Sequence, residues 1–141
     1  MSFKMYKVQV WSGEIPDKPG AAAAMLERLC RAGADLEYLM TRPHPSKAEV
    51  SVLFLAPVAG PQQTEAARAA GLTPARDVAM LCVESENRPG IGSQVMGELA
   101  VAGINLRGIS ISTVGDRMAA YLAFDGEDSA RLAVQVLATL T

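Results

Sequence analysis

Asn87-Arg88-Pro89-Gly90 and, further along, Ala102-Gly103-Ile104-Asn105-Leu106 decide how this chain is read, because both stretches have occurred once before. Asp17-Lys18-Pro19-Gly20 and Ala32-Gly33-Ala34-Asp35-Leu36 precede them at one common offset of 70 positions. Leu29 falls on Leu99 and Phe54 on Phe124 at the same offset, so the register is expected to hold without a gap from Asp17 to Phe124. A repeat about half as long as the 141-residue chain means two like units in tandem. Gly71 and Pro74 punctuate the chain between them, and the expected division is one repeat over residues 1–73 and a second over residues 74–141.

Periodicity gives each unit its elements. Tyr6, Val8 and Val10 alternate with Lys7 and Gln9, which predicts an opening strand covered on one side. A helix follows, with Pro19 in its first turn, an apolar stripe at Ala22, Met25, Leu26 and Leu29, and Gly33 as its stop. Leu36, Tyr38 and Met40 on one strand and Val50, Val52 and Phe54 on the next form a hairpin about Pro43-His44-Pro45-Ser46. Residues 62–70 read as a short Ala-rich helix, and residues 72–74 as a brief extended piece. The second unit runs in the same order: a strand over 78–83, a helix over 90–102, a hairpin over 106–114 and 118–124, and a helix over 129–140. Its last strand is missing, because the helix runs almost to Thr141, so that sheet position is left empty or filled by a borrowed strand. The order β-α-β-β-α-β is the split ferredoxin-like motif, an α+β fold with two helices on one face of an antiparallel sheet.

Half the residues are apolar, 20% are charged and the net charge is −2, which excludes a disordered chain. It also argues against a broad basic surface for nucleic acid or an anionic membrane. Aromatic residues are only 5%, too few for the stacking platform by which ferredoxin-like folds hold RNA bases. Cys30, Cys82 and His44 do not supply a four-ligand metal site, and neither a signal peptide nor a bilayer-spanning run is visible. A reduced, cytoplasmic setting is expected, with neither metal nor cofactor.

The repeated residues gather at the turn before the first helix of each unit and at the entry to the next strand. Asn87 is a good helix cap and Pro89 suits a first turn, so helix initiation accounts for both. Gly90 is harder to explain so, since glycine within a helix costs about 0.5–1 kcal/mol against alanine. Close approach of a ligand to the backbone is the alternative: free amides at a helix start attract a carboxylate, and Gly20 or Gly90 leaves room for one. Gly92 and Ser93 extend the small-residue surface in the second unit. Asp35 and Asn105 follow the helix stop, where each either ends the helix by a local hydrogen bond or accepts from a ligand's ammonium. Asp17 and Asp35 make the first turn acidic, whereas Asn87 and Asn105 leave the second neutral beside Arg88, so a carboxylate ligand favours the second.

These residues resemble the ACT domain, a small-molecule-sensing module of regulated enzymes in amino-acid metabolism. Asn87-Arg88-Pro89-Gly90, Leu99 and Ala102-Gly103-Ile104-Asn105-Leu106 match its signature well. The first unit matches more loosely, with Ala34 and Asp35 where Ile and Asn are usual. The resemblance spans nearly the whole chain and implies a stand-alone tandem ACT protein, an amino-acid-binding regulator without a catalytic domain. It further implies that units pair through their sheets, giving a homodimer, and that effectors bind at that interface near the strand-to-helix turn. The candidate ligand-binding residues are then Asn87, Arg88, Pro89, Gly90, Ile91, Gly92, Ser93, Asn105 and Leu106 in the second unit. In the first they are Asp17, Lys18, Gly20, Ala21, Asp35 and Leu36. The apolar run Val78–Val83 fits such pairing, or simply a strand central to its sheet.

Catalysis finds no support. His44 lies between two prolines in a predicted tip and reads as a solvated loop histidine, and Ser85, Ser110 and Ser112 lack a nucleophile context. Three non-catalytic readings remain: an autonomous sensor of a free amino acid or similar metabolite, a regulatory subunit of a separate amino-acid biosynthetic enzyme, and a purely structural pairing module.

Overall fold

A computed structural model of the chain describes residues 3–140. In chain order its elements are β1 (Lys4–Val8), β2 (Trp11–Pro16), α1 (Ala21–Arg31), β3 (Tyr38–Pro43), β4 (Val50–Ala56), α2 (Gly60–Ala69) and β5 (Thr73–Pro74). They continue with β6 (Ala79–Glu86), α3 (Ile91–Val101), β7 (Gly108–Val114), β8 (Arg117–Phe124) and α4 (Glu127–Leu137). Two four-stranded antiparallel sheets result, ordered β3-β4-β2-β5 and β1-β6-β8-β7, each with two helices. This is the expected α+β class, two ferredoxin-like units.

The chain divides into two compact units, Gln9–Ala75 and the N-terminal strand together with everything from Arg76 onward. The N-terminal residues therefore do not belong to the first repeat, as a boundary at residue 73 would have it. β1 pairs with β6, from Lys4 opposite Glu84 to Val8 opposite Met80, and takes the place beside β6 that β5 takes beside β2 in the other sheet. Its alternation is real, but Phe3 and Met5 rather than Tyr6 and Val8 pack on the second unit's helix-side core. The opening strand of the first unit is instead β2. Shifting β6 back by the repeat offset lands on residues 9–16, so the repeat itself carried that signal.

In the first unit Met25 and Leu29 of α1 meet Trp11, Ile15, Leu53 and Leu55 of the sheet, and Ala67 and Leu72 complete the core. The expected stripe on α1 is thus the buried one, and Gly33 stops the helix in left-handed geometry, its N–H donating to the Cys30 carbonyl at 2.9 Å. Full burial of a leucine such as Leu29 contributes about 1.5–3 kcal/mol. In β4 the helix-facing residues are Leu53 and Leu55, out of step with Val50, Val52 and Phe54, which alternate onto the other face. The second unit builds the same layer from Leu81, Val83, Val95, Leu99, Leu122 and Phe124. β6 lies between β1 and β8, its Leu81 and Val83 face the helices, and Cys82 on the other face, between Tyr6 and Tyr121, is as buried as they are.

The expected gapless register fails within the hairpin. Tyr38 and Gly108 open equivalent strands 70 positions apart, but their cross-strand partners Ala56 and Ala123 are only 67 apart. The first hairpin therefore carries three extra residues at its tip, and the match of Phe54 to Phe124 is a coincidence of sequence. Phe124 is fully buried in the core, whereas Phe54 is half-buried beneath the Arg42 guanidinium, 5.2 Å from its ring centre. Among the described residues no helix is long and apolar enough to cross a membrane.

Candidate functional site

Each strand-to-helix turn is tied to the hairpin tip of its own unit. The Asp17 N–H donates to the Glu49 carbonyl at 2.9 Å, and the Asn87 N–H to the Asp116 carbonyl at 2.7 Å. Each turn closes with a weak bond across three residues, Ala21 N–H to the Lys18 carbonyl at 3.3 Å and Ile91 N–H to the Arg88 carbonyl at 3.2 Å. The helices begin after Gly20 (φ 87°) and Gly90 (φ 84°), both left-handed. That backbone explains the repeated glycine: a left-handed residue with a side chain costs roughly 1–2 kcal/mol. Steric room is not the reason, for a Cβ at either position meets nothing within 4 Å. Asn87 and Pro89 also stand outside the helix, so they neither cap it nor form its first turn.

No side chain caps α1 or α3, so their opening amides are left to other acceptors. In the second unit these are the amides around Gly92 and Ser93, beside the exposed Asn87, Arg88, Pro89 and Gly90. Arg88 Nη2 donates to Gln94 Oε1, which lays the guanidinium over the first turn of α3 and adds positive charge where the helix dipole is positive. Ile91 is turned into the core and is 4% exposed, so it holds the turn in place and is not available to a ligand. Gly92 approaches β7: a Cβ there lies 3.2 Å from Ile111 Cδ1.

The first unit's turn is more crowded. Its longer tip folds around His44, whose Nδ1 accepts the N–H of Ser46 and that of Lys47, each at 3.0 Å, while Nε2 lies 3.5 Å from Glu14 Oε1. His44 is thus a half-buried structural histidine and not a solvated one, because the tip's amides need its ring as acceptor. Lys47 Nζ donates to Glu14 Oε1 at 2.7 Å, and this hydrogen bond, with the Lys47 charge adding to it, holds the Glu14 carboxyl below its ordinary range. Asp17, Lys18 and Ala21 sit beside this charged tip, and Asp17 and Lys18 are exposed.

Asn105 and Asp35 do not join these turns. Gly108 pairs with Ala123 at one end of the second sheet and Val114 with Arg117 at the other, where Asn87 also lies. Asn105 and Leu106 are at the Gly108 end, an α3 length of about 16 Å from Gly90. Asp35 and Leu36 stand equally far from Gly20 across α1. Asp35 and Asn105 are exposed, and among the described residues neither side chain ends a helix by a local hydrogen bond; the left-handed Gly33 and Gly103 do so. Three or more His, Cys, Asp or Glu side chains placed to hold a metal do not occur among the described residues.

No protein-family model matches the chain, and no curated protein matches it by sequence. Solved structures do match in fold. A protein from Bacteroides thetaiotaomicron superposes with a TM-score of 0.76 at 14% identity, over 94% of this chain and 88% of that one. The ligand-free regulatory subunit of aspartate kinase from Thermus thermophilus gives 0.67 at 16% identity, over 97% of this chain and 95% of that one. The corresponding subunit from Thermus flavus gives 0.64 at 15%, with the same coverage of each chain. From end to end, this chain has the fold of those regulatory subunits.

Proposed function

We propose that the protein is a non-catalytic regulator that binds a free amino acid, or a similar small metabolite, at the strand-to-helix turn of its second unit. The observation that carries this reading is the uncapped start of α3 beside Asn87, with Arg88, Pro89, Gly90 and Ser93 exposed around it. A ligand carboxylate is attracted by the free amides and by Arg88, and main-chain carbonyl groups of the turn suit its ammonium. The first unit's turn, with Asp17 and the Glu14–Lys47 tip, suits a carboxylate less.

A second reading is favoured by one observation: the Thermus proteins of the same fold are regulatory subunits, and their whole length is matched. In that reading the chain acts on a separate amino-acid biosynthetic enzyme. Both readings require a ligand with different affinity for two states of the protein.

Thermal unfolding against a panel of the common amino acids tests the proposal. A ligand at about 100 times its Kd is expected to add about 2.7 kcal/mol, a rise of several degrees in Tm. Arg88→Ala is expected to weaken that response and Lys18→Ala to keep it, both at exposed positions that leave the fold intact. Indifference to every amino acid would refute the sensor and leave a structural pairing module.

A further inference from the structure

The first unit's hairpin tip is held by an acceptor that a proton can remove. His44, the only histidine in the sequence, stands at the end of β3 with 18% of its side chain exposed. Its Nδ1 accepts the main-chain N–H of Ser46 and that of Lys47, each at 3.0 Å, and Ser46 Oγ lies 3.4 Å from the same nitrogen. A ring nitrogen that accepts N–H groups carries no proton, so the imidazole is neutral and its proton sits on Nε2, which faces Glu14 Oε1 at 3.5 Å. Glu14 comes from β2 and is held by Lys47 as well, through Oε1 at 2.7 Å and Oε2 at 3.1 Å. The other charged groups about the tip are Arg42 of β3, stacked over Phe54, Glu49 at the tip's far end, and Asp17 and Lys18 in the turn before α1.

The tip is also strained, and it passes its position on. Glu49 has φ 61°, the only non-glycine in the left-handed region among the described residues. Its carbonyl accepts the Asp17 N–H at 2.9 Å, while the His44 N–H closes the tip on the Val50 carbonyl at 2.8 Å. Ring, strained residue and helix turn are therefore linked in series. The second unit ties Asn87 to Asp116 through a tip whose left-handed residue is Gly115, with neither the strain nor a titrating ring.

We infer that His44 is a proton-released latch: protonation of Nδ1 takes the acceptor from two amides, opens the hairpin tip and loosens the turn before α1. The imidazolium carries an N–H on each nitrogen. Nε2–H still faces the Glu14 carboxylate, which favours the charged ring, but Nδ1–H now points at two donors. Ser46 Oγ is the oxygen beside it, so the new N–H turns to that hydroxyl and the amides of Ser46 and Lys47 go to water. Glu49 is then released from its left-handed conformation, and Asp17 loses its partner. The open tip binds one proton more than the closed one, so the closed tip is favoured at higher pH and lost as pH falls through the histidine range, about 6.5. The latch lies in the first unit and does not rest on the ligand site proposed in the second.

An NMR titration of the full chain from about pH 8 to about pH 5 tests this. The amide protons of Ser46 and Lys47 are expected to lose their hydrogen-bonded shifts, and that of Asp17 to follow, all with the midpoint of the His44 ring. Carboxyl groups ionise about two pH units lower, so a midpoint in this range belongs to the ring. His44→Asn puts an amide oxygen where Nδ1 stands, an acceptor that does not titrate, and should hold the three amides in place at every pH. His44→Ala should show the open tip throughout. A ring that stays neutral to pH 5, a ring that titrates while the Ser46 and Lys47 amides stay unmoved, or an Asp17 midpoint that survives in His44→Asn would overturn the inference. Should a variant fail to fold, the wild-type titration decides alone. Neither result touches the thermal response to amino acids, so the two proposals fail separately.

Discussion

The two units place one turn in two chemical settings. Both begin their first helix after a left-handed glycine and tie the turn's first amide to a hairpin tip. In the first unit that tip is three residues longer and packs His44, Lys47 and Glu14 into a charged cluster next to Asp17. In the second it is the short turn Gly115-Asp116, and Arg88 lies over the first turn of α3. A shared backbone therefore does not imply a shared ligand. The edges diverge likewise, β3 ending in Arg42 and Pro43 while β7 is bare.

The largest expected effect concerns the strand that joins the N-terminus to the second sheet. Removing residues 1–8 strips β6 of a five-residue ladder and takes Met5 from the core, a loss of about 3–5 kcal/mol, in the range of major core lesions. Hydrogen exchange should show the amides of β6 and β8 exposed and those of β2 and β4 still protected. Equal loss in both units would mean that they fold as one, and the comparison between them would lose its basis.

The smallest effect belongs to the first unit's tip. Lys47→Met removes the hydrogen bond that depresses Glu14, so its carboxyl should titrate closer to the ordinary value of 4.5. A depressed carboxyl stabilises the folded state above its unfolded pKa, and that stabilisation is lost as pH falls through the folded value. Wild type and variant should therefore differ above about pH 4–5 and converge in stronger acid. Carboxyl chemical shifts followed against pH check this; an unmoved Glu14 midpoint would mean that Lys47 does not set it.

Much of this architecture was legible in the sequence, and the misses have physical causes. The helix stripes at Met25–Leu29 and the stops at Gly33 and Gly103 follow from local periodicity and backbone handedness, which any single segment displays. Strand faces were harder: β4 is apolar on both sides, so Val50, Val52 and Phe54 alternate as convincingly as Leu53 and Leu55, and only the helix packed above separates them. The destination of β1 is non-local, fixed by a vacancy more than 70 residues away. That this position is either empty or filled by a borrowed strand was readable; which of the two, and the strand's source, were not. Asn87 to Ser93 adjoin one another at the turn, with Ile91 turned into the core, whereas Asn105 lies a helix length away, because proximity in the repeat pattern says nothing about which end of a helix a residue occupies.

The central claim is that the second unit's turn, and not the first, takes the ligand. Hydrogen exchange of the wild-type chain, with and without the amino acid that raises its Tm, tests this most directly. Slowed exchange is predicted at the amides of Gly90 to Gln94 with those of Gly20 to Ala24 unchanged; protection confined to the first unit's turn would contradict it.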